Sequence, residues 1–163
     1  MEENFTTEET RFILRSRDAI VPEDATRVLI AKNAIYIPRK SFEYSWNLEI
    51  LGISGSGHTI EDYAFKNCQK ITRIIFGSGL QAIHCFKDNK VATNGLVSLN
   101  IYFHSFEGCN NVRSLIFPKS MKEIDQCFLD QFASLQKVVM PKTASFVDAE
   151  PRPYWKGFKI QCY

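Results

Sequence analysis

The side chains best able to do chemistry are five cysteines, Cys68, Cys85, Cys109, Cys127 and Cys162, and three histidines, His58, His84 and His104. Thiols and imidazoles build nucleophile–base pairs or soft metal sites, and both need partners at short, matched spacing. No C-x-x-C occurs, the cysteine count is odd, and the histidines lack ligand spacing. His84 and Cys85 are adjacent, so in an extended chain they point to opposite sides rather than at one metal. Cys68 and Cys109 therefore read as small buried hydrophobes. Cys85 and Cys127 read likewise, Cys162 as an exposed thiol, and His104 as a structural hydrogen bonder at the polar site after a strand. The glycine stretches Ser54–Gly57 and Gly77–Gly79 lack the Lys-Ser/Thr of a phosphate loop and the G-x-G-x-x-G of a dinucleotide fold. No G-x-S-x-G elbow or carboxylate pair stands out. The expectation is a chain without catalytic, metal or cofactor sites, and not an enzyme.

The elements around these residues are organised by a repeat. SFEYSWNLEILGI (41–53), AFKNCQKITRIIF (64–76) and SFEGCNNVRSLIF (105–117) share one apolar pattern: Phe42, Leu48, Leu51, Ile53; Phe65, Ile71, Ile74, Phe76; Phe106, Val112, Leu115, Phe117. A weaker copy gives Leu129, Leu135, Val138 and Met140, and a half-copy gives Val28 and Ile30. Phe42 and Phe65 are 23 residues apart, as are Phe106 and Leu129, whereas Phe65 and Phe106 are 41 apart. That wider gap reads as a degenerate copy, 77–101, around Leu96, Leu99 and Ile101. Ile37, Ile60, Ile101 and Ile124 lie five before each Phe site, with Ile83 as the counterpart in the degenerate copy. Within L-x-x-L-x-L the last two apolar positions alternate, which suits a short strand with one buried face. The I-x-x-x-x-F return reads as a turn, a 3₁₀ segment or a short helical piece. One such coil cannot bury its apolar face alone, so the period predicts stacked coils with a short parallel sheet on one side.

The motif I-x-x-x-A/S-F-x-x-C-x-x-L-x-x-I-x-F/I-P-x-S, best seen in Ile60–Phe76 and Ile101–Ser120, resembles BspA-like leucine-rich repeats over roughly residues 25–145. The resemblance implies a strand-rich α/β-type leucine-rich-repeat solenoid of five or six coils. It also implies a protein-contact or adhesion role, and a cell-surface setting if this chain is a fragment. As written, MEENFTTEET has no basic and apolar signal regions, and no apolar run approaches the ~18 residues of a membrane span. The compartment is left open, cytoplasmic being the expectation for the chain as it stands.

A single domain, 1–163, is expected, with an N-terminal cap 1–24, repeats 25–145 and a C-terminal cap 146–163. Thr6 and Glu9 suit a capping box ahead of a short helix through Phe12, Ile13 and Leu14. Tyr154, Trp155 and Phe158 are placed to close the last coil. The chain is 45% hydrophobic and 23% charged with a net charge of +2, which suits a folded domain and is too mild for a nucleic-acid binder. Strand residues between the core sites face outward. One column holds Arg27, Ile50, Arg73, Ser98, Ser114 and Lys137, and its neighbour holds Leu29, Gly52, Ile75, Asn100, Ile116 and Val139. A basic column beside an aliphatic one is a candidate protein-binding face, whose partner, host or self, the sequence does not identify. Self-association as a spacer unit is the rival reading. Carbohydrate binding through Tyr36, Tyr44, Trp46 and Tyr63 is more remote, because these aromatics are dispersed.

Overall fold

The computed structural model describes residues 11–15, 20–54, 57–86, 97–102, 104–147 and 157–163. The chain alternates between two parallel sheets. Among the described residues the front sheet has seven strands, in the order β1 (Arg11–Leu14), β2 (Arg27–Ile30), β4 (Ile50–Ile53), β6 (Arg73–Phe76), β9 (Ser114–Ile116), β11 (Lys137–Met140) and β13 (Lys159–Cys162). The back sheet has six among the same residues, in the order β12 (Ser145–Val147), β10 (Glu123–Asp125), β7 (Ala82–Phe86), β8 (Ser98–Tyr102), β5 (Thr59–Ile60) and β3 (Tyr36–Ile37). Two parallel sheets joined in this way fit a repeat solenoid.

Each strand is short, and its apolar residues find cover only in the next coil. In the front sheet Val28, Leu51, Ile74, Leu115 and Val138 lie in one register column and are fully or almost fully buried. Ile37, Ile60 and Ile101 make the matching column of the back sheet. The turn that closes each coil carries the Phe site. Phe42 stacks on Phe65 at 4.6 Å and Phe65 on Phe106 at 5.1 Å, with ring planes within 14° and 4° of parallel. Backbone bonds run along the same ladder: Phe42 N–H donates to Ala64 O at 2.7 Å, and Phe65 N–H to Ser105 O at 2.8 Å.

Several expectations are corrected. Opposite the front sheet lies a second parallel sheet, not 3₁₀ or helical pieces. The β-branched Ile of the return enters a back-sheet strand of two to five residues, and Phe42, Phe65 and Phe106 enter the following turn, which explains a spacing of five that suits no single helix face. The one α-helix among the described residues is α1 (Gln126–Leu129), a single turn. Phe12, Ile13 and Leu14 form no capping helix. They lie in β1, paired with β2, where Leu14 is buried beside Ile30. The capping box Thr6–Glu9 lies outside the described residues, as do Tyr154, Trp155 and most of the loop 86–95. At the other end Phe158 packs partly buried against the core, and the terminal element is strand β13, paired with β11.

The central segment 77–101 is not a degenerate coil of the front sheet. Front-sheet partners are 23 residues apart at Arg27↔Ile50, Ile50↔Arg73 and Ser114↔Lys137, but 41 apart at Arg73↔Ser114. The described residues of this segment enlarge the back sheet, where β7 and β8 pair with each other along five residues. Leu99 and Ile101 mimic the last two sites of L-x-x-L-x-L because any half-buried strand alternates this way. Ile101 pairs with Ile60 instead.

Phe65 lies between two ring neighbours, so its loss should be felt along the whole turn ladder. Phe65→Ala is expected to destabilise the chain by about 3–5 kcal/mol, as large-to-small substitutions of buried aromatics do. Urea unfolding followed by circular dichroism checks this, and a loss below about 1 kcal/mol would contradict the stacking account.

Candidate functional site

The outward columns of the front sheet are set by strand register. Arg27, Ile50, Arg73, Ser114 and Lys137 are successive partners, and β13 extends the row with Lys159. Leu29, Gly52, Ile75, Ile116 and Val139 form the neighbouring row, which β1 extends with Ile13 and β13 with Gln161. Alternate residues of β2 and β6 are buried, so the remaining side chains of those strands stand on the outer face, half-buried by their neighbours. Lys137 and Lys159 are exposed.

Eight of the ten residues expected on this face are therefore brought together: Arg27, Leu29, Arg73, Ile75, Ser114, Ile116, Lys137 and Val139. Ser98 and Asn100 are not. They belong to β8 of the back sheet, where Ser98 is the partner of Ala82 and Asn100 of Thr59 and His84. The sequence reading missed Lys159 and Gln161, because the aromatic content around them suggested a cap. The alternation Lys159-Ile160-Gln161-Cys162, with Ile160 in register with core Val138, was the available signal.

The face is basic. Arg27, Arg73, Lys137 and Lys159 share one column. Arg113 precedes β9 and Glu49 precedes β4 on the same edge, so cations outnumber carboxylates there in a chain of net charge only +2. Neighbouring strands lie ~4.8 Å apart, which spaces Arg27 from Arg73, and Arg73 from Lys137, by about 10 Å. Beside them Ile75, Ile116 and Val139 give a contiguous aliphatic strip. Gly52, itself buried, interrupts it between Leu29 and Ile75.

The potentially reactive groups serve the fold. Cys68 and Cys109 are fully buried, and their thiols donate to Phe42 O at 2.9 Å and Phe65 O at 3.0 Å in the adjacent coil. Hydrogen bonding to Cys68, then burial, holds the Cys109 thiol far above the ordinary range. His58 is fully buried between two carbonyls, Ala34 O at 2.9 Å from Nδ1 and Ser54 O at 2.7 Å from Nε2. It ties one corner of the stack to the next. His84 lies 3.8 Å from Asp125, whose other carboxylate oxygen accepts from Cys85 N–H at 2.8 Å. His104 does not occupy the polar site after a front strand. It lies in the turn before Phe106, stacked on Tyr63 at 5.5 Å and 3.2 Å from Glu107. Among the described residues no group of three or more His, Cys, Asp or Glu is placed to hold a metal ion. A shallow pocket of about 300 Å³, lined by Asn33, Ala34, Ile35 and Tyr36, contains no His, Cys or carboxylate. The aromatics named for sugar binding have separate neighbours. Tyr36 bonds Glu61, Tyr44 and Trp46 pair at 5.2 Å, and Tyr63 lies near Arg39, Lys66 and His104.

The BspA type leucine rich repeat region matches residues 35–150 in six copies, and the chain belongs to that family. No curated protein and no solved structure matches the chain. Among the described residues no helix is long and apolar enough to cross a membrane.

Thiol accessibility follows from this geometry. With a maleimide reagent at neutral pH, exposed Cys162 should label within minutes, and Cys68 and Cys109 only after unfolding. Because its pKa is raised, the Cys109 thiol stays protonated and unreactive as the pH passes the usual thiol value of ~8.5. Rapid labelling of Cys109 in the folded chain would contradict its assignment to the turn ladder.

Proposed function

We propose that the front sheet is a non-enzymatic protein-binding platform for a partner with acidic and aliphatic side chains. The observation that carries this reading is the register. Four cations fall in one column beside a strip of Ile75, Ile116 and Val139, on the face of the front sheet opposite its buried column. Leucine-rich-repeat domains generally mediate protein contact, which agrees with it. The two columns divide the work. Charges raise the association rate and set orientation, while the aliphatic strip contributes desolvation. The family resemblance suggests adhesion as the setting.

The test is a capture experiment with the folded Arg73→Glu/Ile116→Asp variant and a back-sheet control, Thr59→Glu, each checked by circular dichroism. A partner held by the wild type and the control, and held about tenfold or more weakly by the front-sheet variant, is the expected result. Added salt should weaken the same complex. Equal binding by all three proteins would remove the front sheet from the site.

One observation favours self-association as a second reading. Ile160 sits in register with the core residue Val138 yet is 48% exposed at the edge strand β13. An open edge with a core-type side chain is a template for another strand. Sedimentation velocity over a hundredfold concentration range should then show a mass that rises for the wild type and not for Ile160→Lys. A constant monomer mass would reject it.

A further inference from the structure

The exposed charge of the C-terminal coils is one-sided. Among the described residues of 113–147 and 157–163, the exposed cations are Arg113, Lys119, Lys122, Lys137, Lys142 and Lys159, against the exposed carboxylate of Asp130. Three of these cations meet at the strand starts of the front sheet. Lys137 is the register partner of Lys159, and Arg113 precedes Ser114, the partner of Lys137 on its other side. The ladder fixes them there. Arg113 O accepts the Lys137 N–H at 2.9 Å, and Gln136 O accepts the Lys159 N–H at 2.8 Å. Neighbouring strands lie ~4.8 Å apart, so the three side chains start from consecutive strands within reach of one ligand. Elsewhere Lys40 and Lys66 are paired, with Glu43 at 3.4 Å and Glu107 at 3.2 Å. Among the described residues Arg113, Lys137 and Lys159 make no ion pair. Like charges this close repel, and the fold draws no stability from the arrangement.

We propose that Arg113, Lys137 and Lys159 bind the sulfate esters of an acidic polysaccharide. The site goes beyond the platform reading. It shares Lys137 and Lys159 with that face but needs neither the aliphatic strip nor Arg27 and Arg73. Charge complementarity sets the sign of the ligand, and the surroundings set its class. A sulfate ester has three terminal oxygens, enough to accept from both lysine ammonium groups at once. The planar fork of Arg113 suits two oxygens of a neighbouring ester. Gln136 and Gln161 are exposed beside the lysines, and their amides can donate to and accept from sugar hydroxyls. A peptide ligand would also bring apolar side chains, yet the aliphatic row gives way to Gln161 at β13. The corner offers charge and hydrogen bonds with little apolar surface, which is what a sulfated sugar chain can use.

The experiment titrates the full chain with heparin by calorimetry at about 50 mM salt, where screening is weak. Removing cations weakens any polyanion complex, so the control is matched in charge. Lys137→Gln/Lys159→Gln is compared with Lys119→Gln/Lys142→Gln, which loses the same charge just beyond the other ends of strands β9 and β11. All four side chains are exposed, and circular dichroism should find both variants folded. The first variant should bind heparin about tenfold or more weakly, and the second within about twofold of the wild type. Poly-glutamate, the carboxylate probe, should bind the wild type about tenfold or more weakly than heparin. Equal losses in the two variants would reduce the site to net charge. Poly-glutamate binding as tight as heparin binding would overturn the sulfate assignment, and no heparin binding by the wild type would end the proposal. Heparin binding should be unchanged in Ile75→Ala/Ile116→Ala, so the platform reading can fail in its capture experiment while this site stands, and the reverse.

Discussion

A strand of four residues exposes as much backbone and side chain as it covers, so no coil of this chain is stable by itself. What makes the fold is register. The core side chain of one strand must lie directly over that of the next, or the apolar column breaks and both coils lose cover. The front sheet meets this demand from Val28 to Val138, and the turn ladder meets it again with stacked phenylalanines and with thiols that donate to the carbonyl one coil away. The buried cysteines belong to this constraint. A thiol is small enough to be buried in the turn and still donates a weak hydrogen bond to a backbone oxygen of the adjacent coil, beside the backbone N–H that oxygen already accepts.

The turns show how tightly the period binds the backbone. Two residues after the Phe site the chain repeatedly adopts a left-handed conformation, with φ of 62° at Tyr44, 59° at Asn67 and 78° at Gly108. Asparagine and glycine tolerate that region, whereas tyrosine does so at a cost of about 1–3 kcal/mol. At Gly108 a second reason applies. A Cβ there would stand 2.1 Å from the Asn67 side-chain oxygen in the adjacent coil. The stack dictates the conformation, and side-chain preference yields to it.

Much of this was legible beforehand, because a repeat states its core positions several times over. Phe42, Phe65 and Phe106 were assignable as one site, and Arg27, Arg73, Ser114 and Lys137 as one column, from spacing alone. What spacing could not decide was which of two sheets a half-buried strand joins. Ser98 to Tyr102 alternates as any such strand does, and Leu99-x-Ile101 satisfies the front pattern as well as the back one. The return stretch posed a similar problem. Two residues of strand, as at Thr59–Ile60, are too few for a period of two to declare itself against a turn. At β1, Phe-Ile-Leu carries no periodicity, and the Thr-Thr-Glu-Glu before it supplied a helix-start signal that pairing with β2 overrides.

The insertion has a consequence for the face. The coil between Arg73 and Ser114 is 18 residues longer than its neighbours, yet those two residues remain direct partners. The described strand residues of the insertion enter the back sheet, which gains length at β7 and β8. Had the extra residues formed a front strand, as their pattern allowed, Ser98 and Asn100 would have separated Arg73 from Lys137 by a further ~4.8 Å and placed a polar residue inside the aliphatic strip. Instead Ile75 and Ile116 touch adjacent strands, and the cations from Arg27 to Lys137 keep an even two-strand interval. The spacing a ligand would meet is therefore fixed by where the insert folds as much as by the repeat itself. The irregular part of the sequence leaves the front sheet as the regular surface of the molecule.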